Sequence, residues 1–194
     1  MTKYREILRL KSLGFSERNI AQSCGVSRNT VAKVLKKAAE IKLVSARPSC
    51  PGKYQILITG EVSAVESALR IGEESAKTNV VDRLLIPRVN PQVIEAINMS
   101  SMPSSLKALG ILEFFSVTGA IIAADAAAKA ANVSLIEIRL GTGIGGKSFV
   151  TFTGDVGAVE ESVEAGAKTA ENSGALLEKV VIAHPDKELY RSLL

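Results

Sequence analysis

The feature that most constrains this chain is an internal repeat. Residues 36–75, KKAAEIKLVSARPSCPGKYQILITGEVSAVESALRIGEES, correspond to residues 128–169, AKAANVSLIEIRLGTGIGGKSFVTFTGDVGAVEESVEAGAKT. Lys53 pairs with Lys147, Gly60 with Gly154, Val62 with Val156, Ala64 with Ala158, Val65 with Val159 and Gly72 with Gly166, all at a spacing of 94 residues. Upstream, Lys37 pairs with Lys129, so the second copy holds two more residues in the loop between. A chain of 194 residues that carries one unit twice must build two small domains, each near the lower limit of core size.

Each copy follows one physical plan. Leu43–Arg47 and Leu135–Arg139 are β-branched-rich runs, and Tyr54–Ile58 and Phe149–Phe152 follow a glycine-containing loop, which predicts two strands per copy. Thr-Gly-Glu or Thr-Gly-Asp then opens a helix, its acidic residue suited to the N-cap or first turn. Apolar residues at Val62, Val65 and Leu69, and at Val156, Val159 and Val163, recur at helical spacing. A last strand is predicted at Val80–Ile86 in the first copy and Lys179–Ala183 in the second. The second copy alone also has an opening strand, Leu109–Phe115, and an Ala-rich helix, Ser116–Ala131. Its order is therefore βαββαβ, an α+β unit with helices over an antiparallel sheet. Asn98–Ser105 reads as the linker.

Composition narrows the function classes. Aromatic residues make up 4% of the chain and Trp is absent, so stacking platforms for sugars or bases are poorly supplied. The most apolar region, Leu109–Ala131, is broken by Glu113, Asp125 and Lys129, which argues against a membrane span. The start lacks the apolar run of a signal peptide, and Cys24 and Cys50 make no disulfide framework, so a reducing cytoplasm is expected. Residues 1–38 carry nine Lys or Arg and two Glu, whereas the rest has 15 basic and 18 acidic residues. Only the head is basic enough to meet a polyanion.

GILEFFSV, AADAAAKAANVSLIEI, the Gly-Gly-Lys loop and TGDVGAVEESVEAG resemble the bacterial microcompartment shell domain. The tandem, unpermuted order over residues 37–194 is similar to the trimeric shell proteins of propanediol-utilisation compartments. Within these, ARPSCPGKYQILITGEV resembles the subfamily that holds an iron–sulfur cluster on the trimer axis. The resemblance implies a non-enzymatic shell subunit with no catalytic residues, located in a cytoplasmic microcompartment shell. It implies a homotrimer, a flat pseudohexamer with a central pore, that meets other shell proteins at its edges.

It also assigns residues. Ser49, Cys50, Pro51 and Gly52 fall where the family places its pore, as do Gly143, Gly145 and Gly146 of the second copy. One cysteine is too few for a cluster that usually wants four thiolates. Three Cys50 residues converging on one axis would supply three ligands to a [4Fe-4S] cluster. On its residues alone, Cys50 reads rather as a small, half-buried side chain in a tight loop, and it is the resemblance that makes it a cluster ligand. Lys129, its partner Lys37, and Arg88 match the family's tile-edge residues. His184, the only histidine, reads as a surface residue. Residues 141–148, GTGIGGKS, fit the letters of a phosphate-binding loop, but Phe-Val-Thr-Phe-Thr follows, a strand where that chemistry needs a helix.

The head carries an independent pattern. Tyr4, Ile7, Leu10 and Leu13 give a first helix a buried stripe. Ser16 caps a second helix, Glu17–Cys24; Gly25 makes the turn; Ser27 caps a third from Arg28 to about Ala38. With Ala21 at the crossing and Val31 and Val34 in the core, this is a helix-turn-helix spacing. Arg28, Asn29, Thr30 and Lys33 would face a major groove, with Lys36 and Lys37 on phosphates. The stretch resembles the N-terminal domain of insertion-sequence transposases, although no catalytic integrase-like region follows.

The chain is therefore expected to comprise a helix-turn-helix segment (1–38), a first shell domain without its opening strand (39–100) and a second shell domain (106–194). Two roles compete for Lys36–Ile41, which would finish both the third helix and a shell helix. In a βαββαβ sheet the first strand is normally central, so its loss strands backbone groups worth about 1 kcal/mol or more each. A fusion of a transposase-like head to a truncated shell protein is the expected origin. The alternative is a DNA-binding regulator whose βαββαβ domains sense a ligand or oligomerise, a layout similar to feast/famine regulators.

Overall fold

The computed structural model describes residues 3–99, 103, 105–141, 145–171, 175–186 and 188–189, the side chains of Lys37, Ala39 and Glu171 excepted. The chain divides into two compact units, Met1–Leu43 with Leu57–Val80, and Val44–Ile56 with Val81–Leu194.

The first unit contains α1 (Lys3–Ser12), α2 (Glu17–Cys24) and α3 (Arg28–Ala39). Their core is Ile7, Leu10, Ile20, Ala21 and Val31, with Cys24, Val26, Val34 and Leu35 packed partly against it. Each boundary has a local cause. Ser16 accepts the amide of Asn19, which ties down one of the orphan donors opening α2. Gly25 ends α2 at φ 60°, a left-handed conformation that costs a residue without Cβ nothing, and its N–H reaches the carbonyls of Ala21 and Gln22. Ser27 Oγ accepts the Thr30 amide at 3.1 Å and opens α3. The expected stripe on α1 needs correction. Tyr4 and Leu13 are 53% and 59% exposed: on α1 only Ile7 and Leu10 are buried, and Leu13 lies past the end of the helix at Ser12.

After α3 the chain passes directly into β1 (Ile41–Ser49) and β2 (Lys53–Gly60), which form a two-stranded sheet. Helix α4 (Val62–Ala76) follows, with Glu61 at its N-cap position making no side-chain cap bond.

In the second unit, α5 (Pro91–Ile97) precedes β3 (Ala108–Phe114), α6 (Val117–Ala130), β4 (Val133–Leu140), β5 (Ser148–Gly154), α7 (Val156–Glu171) and β6 (Leu176–Ile182). The sheet order is β4-β5-β3-β6, so the opening strand is central. It pairs antiparallel with β5 from Ala108↔Gly154 to Phe114↔Ser148, and with β6 from Leu109↔Ile182 onward. Helices α6 and α7 pack on each other and on this sheet. Leu109, Leu112, Phe114, Leu135, Ile138, Val150 and Phe152 are fully buried, and the small residues Ala120, Ala123, Ala124 and Ala127 let α6 approach closely.

The two copies share a sequence plan but not a core. Leu135 is 0% exposed and its counterpart Leu43 is 64% exposed; Val150 is 0% and its counterpart Ile56 is 66%. The expected strand Val80–Ile86 is also not formed; a 3₁₀ turn, Lys77–Asn79, precedes a stretch without regular secondary structure. The cause lies in the topology. Among the described residues, the last strand of the complete copy, β6, pairs only with β3, and the first copy has no equivalent of β3. A strand is a paired object, so apolar residues alone do not make one.

Candidate pore-loop site

The two hairpin tips of the repeat meet within the second unit. Ser49, buried, ends β1 and donates its hydroxyl to the Gly141 carbonyl at 3.1 Å. The Cys50 amide donates to the same carbonyl, also at 3.1 Å. Gln55 Nε2 donates to the Leu140 carbonyl at 3.2 Å. From the other tip, Gly141 N–H closes its own loop on Lys147 O at 3.0 Å. Gly146, at φ 83°, has no room for a side chain: a Cβ there would stand 2.6 Å from the Cys50 carbonyl oxygen and 3.0 Å from Pro51 Cδ. The loop that looked like a phosphate cradle is thus a packing surface for its twin, and the strand β5 follows it.

Cys50 is exposed with a free thiol, flanked by exposed Pro51 and Gly52. Gly145 is exposed and Gly146 half-buried, while Gly143 lies outside the described residues. Among the described residues, no three His, Cys, Asp or Glu side chains lie close enough together to hold a metal. One chain therefore offers a single thiol at this tip, and a cluster fits these residues only where several tips converge. Behind the loops, Lys147 pairs with Glu113 at 2.6 Å, and Arg139 pairs with Glu137 at 2.7 Å while lying 5.1 Å over the Phe149 ring.

The edge residues separate. Lys129 pairs with Asp125 at 2.6 Å, leaving its side chain 46% exposed. Asp125 is buried and also accepts the Asn90 amide at 2.7 Å, and Asn90 Nδ2 donates to the Ala128 carbonyl at 3.2 Å. Arg88 is exposed in the preceding turn at φ 56°. The Lys37 side chain lies outside the described residues, and His184 is exposed. On α3, Arg28, Asn29 and Lys33 are exposed, while Thr30 is half-buried with its hydroxyl 2.9 Å from Ser27 Oγ.

Sequence reasoning missed Gln92. Strand β4 ends the sheet, so its outer edge needs partners. Gln92 supplies both kinds: Oε1 accepts the Leu135 amide at 2.9 Å and Nε2 donates to the Val133 carbonyl at 3.3 Å. Helix α5 places it there, opened by Asn90, whose side chain accepts the Gln92 amide at 3.0 Å, with proline at its first turn. The Asn-Pro pair was the available signal. The outer edge of β4 is thus covered at its start by Gln92 and at its end by Gln55 and Ser49, all from sequence preceding the second copy.

Comparison with known proteins agrees. The BMC domain family model matches residues 28–89 and 108–185. The bacterial microcompartment shell protein PduT of Citrobacter freundii is 34% identical over 158 residues, 81% of this chain and 86% of that protein. The shell protein PduA of the same organism is 40% identical over 88 residues, 45% of this chain and 91% of its own length. The crystal structure of a microcompartment protein from Desulfitobacterium hafniense DCB superposes with a TM-score of 0.75 at 47% identity, covering 82% of this chain and 92% of that one. The first match begins at Arg28, so α3 occupies the place of the first shell helix as well as closing the head. A tandem repeat, a central third strand in the complete copy and abutting hairpin tips together place this chain in the BMC-domain family of microcompartment shell proteins.

Proposed function

We propose that the chain is a structural, non-enzymatic subunit of a bacterial microcompartment shell, assembling as a trimer whose six hairpin tips surround a pore. The supporting observation is the covered edge of β4: a copy of the repeat meets the next through its hairpin and the Asn90–Gln92 segment. The repeat carries counterparts of part of it, Pro185 for Pro91, Asp186 for Gln92 and β1 for β4, with Phe149 where Gln55 stands. A related junction with fewer side-chain hydrogen bonds would form between chains, and three tandem chains would close a ring. Lys129, Arg88 and Lys37 would then meet other shell proteins at the tile edge.

In that ring three Cys50 thiolates approach one axis. They would hold a [4Fe-4S] cluster, with a non-protein ligand or solvent on the fourth iron; when bound, it supplies one-electron transfer across the shell. The chain's part is to hold each Cys50 in place through the Ser49 and Cys50 bonds to Gly141. Without the cluster, Gly145, Gly146 and Gly143 would line a path for small polar metabolites. Anaerobic reconstitution with iron and sulfide should give the purified trimer a brown absorbance that Cys50→Ala abolishes. A colourless, iron-free trimer refutes the cluster and leaves the shell role.

A second reading rests on the head. Its caps, its Gly25 turn and the exposed Arg28, Asn29 and Lys33 of α3 support duplex DNA binding through a helix-turn-helix. With about four phosphate contacts, affinity should fall on the order of 100-fold between 50 and 200 mM salt. A gel shift insensitive to Lys33→Ala and Arg28→Ala would refute it. The shell-domain matches weigh against a ligand-sensing regulator built on this head.

A further inference from the structure

We propose that the hairpin of the first copy binds a small oxyanion that retains an O–H, as hydrogen phosphate does, between Arg47 and Lys53. The site lies in one chain and one compact unit, so it goes beyond the shell reading and does not depend on it. The second copy shows how the same two cations are otherwise satisfied. There Arg139 pairs with Glu137 at 2.7 Å and lies 5.1 Å over the Phe149 ring, and Lys147 pairs with Glu113 at 2.6 Å. Phe149 is the register partner of both Arg139 and Glu113, so these groups share one face of the sheet.

The first copy keeps both cations and changes each of their partners. Arg47 stands for Arg139 and Lys53 for Lys147, but Ser45 replaces Glu137 and Gln55 replaces Phe149. Glu113 has no counterpart, because the first copy lacks the strand that carries it. Among the described residues, no carboxylate lies within ion-pair distance of Arg47 or Lys53. Strand β1 ends at Ser49 and β2 opens at Lys53, which sets Arg47 opposite Gln55 as Arg139 is set opposite Phe149.

The polar atoms left over at this place define the ligand. Arg47 Nε, Ser45 Oγ and Gln55 Oε1 are each shielded from water and have no hydrogen-bond partner among the described residues. Each carries a desolvation penalty that a ligand atom would relieve. Gln55 is oriented by the bond from its Nε2 to the Leu140 carbonyl, so Oε1 is the atom it presents. Arg47 and Gln55 are only half-buried and Lys53 is exposed, so a side-chain rotation brings an anion onto the guanidinium. Arg47, Lys53 and the Ser45 hydroxyl donate, whereas Gln55 Oε1 only accepts. A halide or a bare carboxylate meets the donors and leaves Oε1 alone. Hydrogen phosphate accepts from the guanidinium and the ammonium and donates its remaining O–H to Oε1.

The test is titration calorimetry of the full chain with inorganic phosphate at neutral pH and constant ionic strength, with acetate and chloride as comparison anions. The expected result is saturable uptake of one phosphate per chain, with acetate several-fold weaker and chloride silent. Arg47→Gln should weaken phosphate about 10-fold or more, the usual loss for a hydrogen bond to a charged group. Ser45→Glu rebuilds the internal pair of the second copy, so it should abolish the binding while keeping the circular dichroism spectrum of the parent. Lys33→Ala, on the basic head, should leave phosphate affinity unchanged. Absence of saturable binding overturns the proposal, as does acetate binding as tightly as phosphate. So does undiminished binding to Ser45→Glu, or loss of binding in Lys33→Ala, which would put the phosphate on the head. A trimer that takes up no phosphate refutes this proposal alone and leaves the shell reading standing.

Discussion

Leu43 and Leu135 are the same residue at the same place in the repeat, and the structure assigns them opposite energetic roles. Leu135 is 0% exposed within β4, while Leu43 is 64% exposed within β1. Truncating a fully buried leucine to alanine removes its transfer free energy and leaves a cavity, costing about 2–5 kcal/mol. Truncating an exposed leucine usually changes stability by no more than about 0.5 kcal/mol. The assay is urea unfolding followed by far-ultraviolet circular dichroism, because the chain has no Trp to report. With a denaturant slope of about 1–2 kcal/mol per molar, a loss of about 3 kcal/mol lowers the Leu135→Ala midpoint by about 1.5–3 M. Leu43→Ala should leave the midpoint where it was. Comparable losses in the two variants would mean that the first copy closes over its hairpin, and the argument from the missing strand would fall.

Gln92→Ala removes two hydrogen bonds from the β4 edge and should cost about 1–3 kcal/mol, read as a lower urea midpoint. Gly146→Val forces a side chain toward the Cys50 carbonyl from a left-handed backbone. It should speed hydrogen exchange at the Cys50 amide without unfolding β5. The Glu6 carboxyl is held below its ordinary value by the Arg9 guanidinium, which donates to it at 2.6 Å. Its stabilisation of α1 is therefore present at neutral pH and lost as pH falls through that lowered value. Thermal melts at pH 7 and pH 3 should show a smaller acid-induced drop for Glu6→Gln than for the parent chain.

Much of the fold was legible because local signals carried it. Ser16, Gly25 and Ser27 mark the ends of helices in the head with side-chain or backbone bonds spanning four residues or fewer. The repeat spacing then aligned two hairpins and two helices. What escaped the sequence was pairing at long range. Val80–Ile86 has strand composition but lacks the partner that would make it a strand. Gln92 reads as an ordinary helical glutamine until β4 arrives beside it from more than 40 residues away. The abutting hairpin tips were likewise invisible, since Ser49 finds Gly141 across 92 residues. The exposed Tyr4 and Leu13 show that helical spacing marks an apolar face without fixing how much of it is buried.

The proposed trimer requires the junction between repeats to be reused from chain to chain until a ring closes. Native mass spectrometry of the full chain measures that directly. A species of three times 20.5 kDa, dispersed to single chains by Asp186→Lys together with β1 edge substitutions, agrees with it. A parent chain that remains at 20.5 kDa at high micromolar concentration contradicts it.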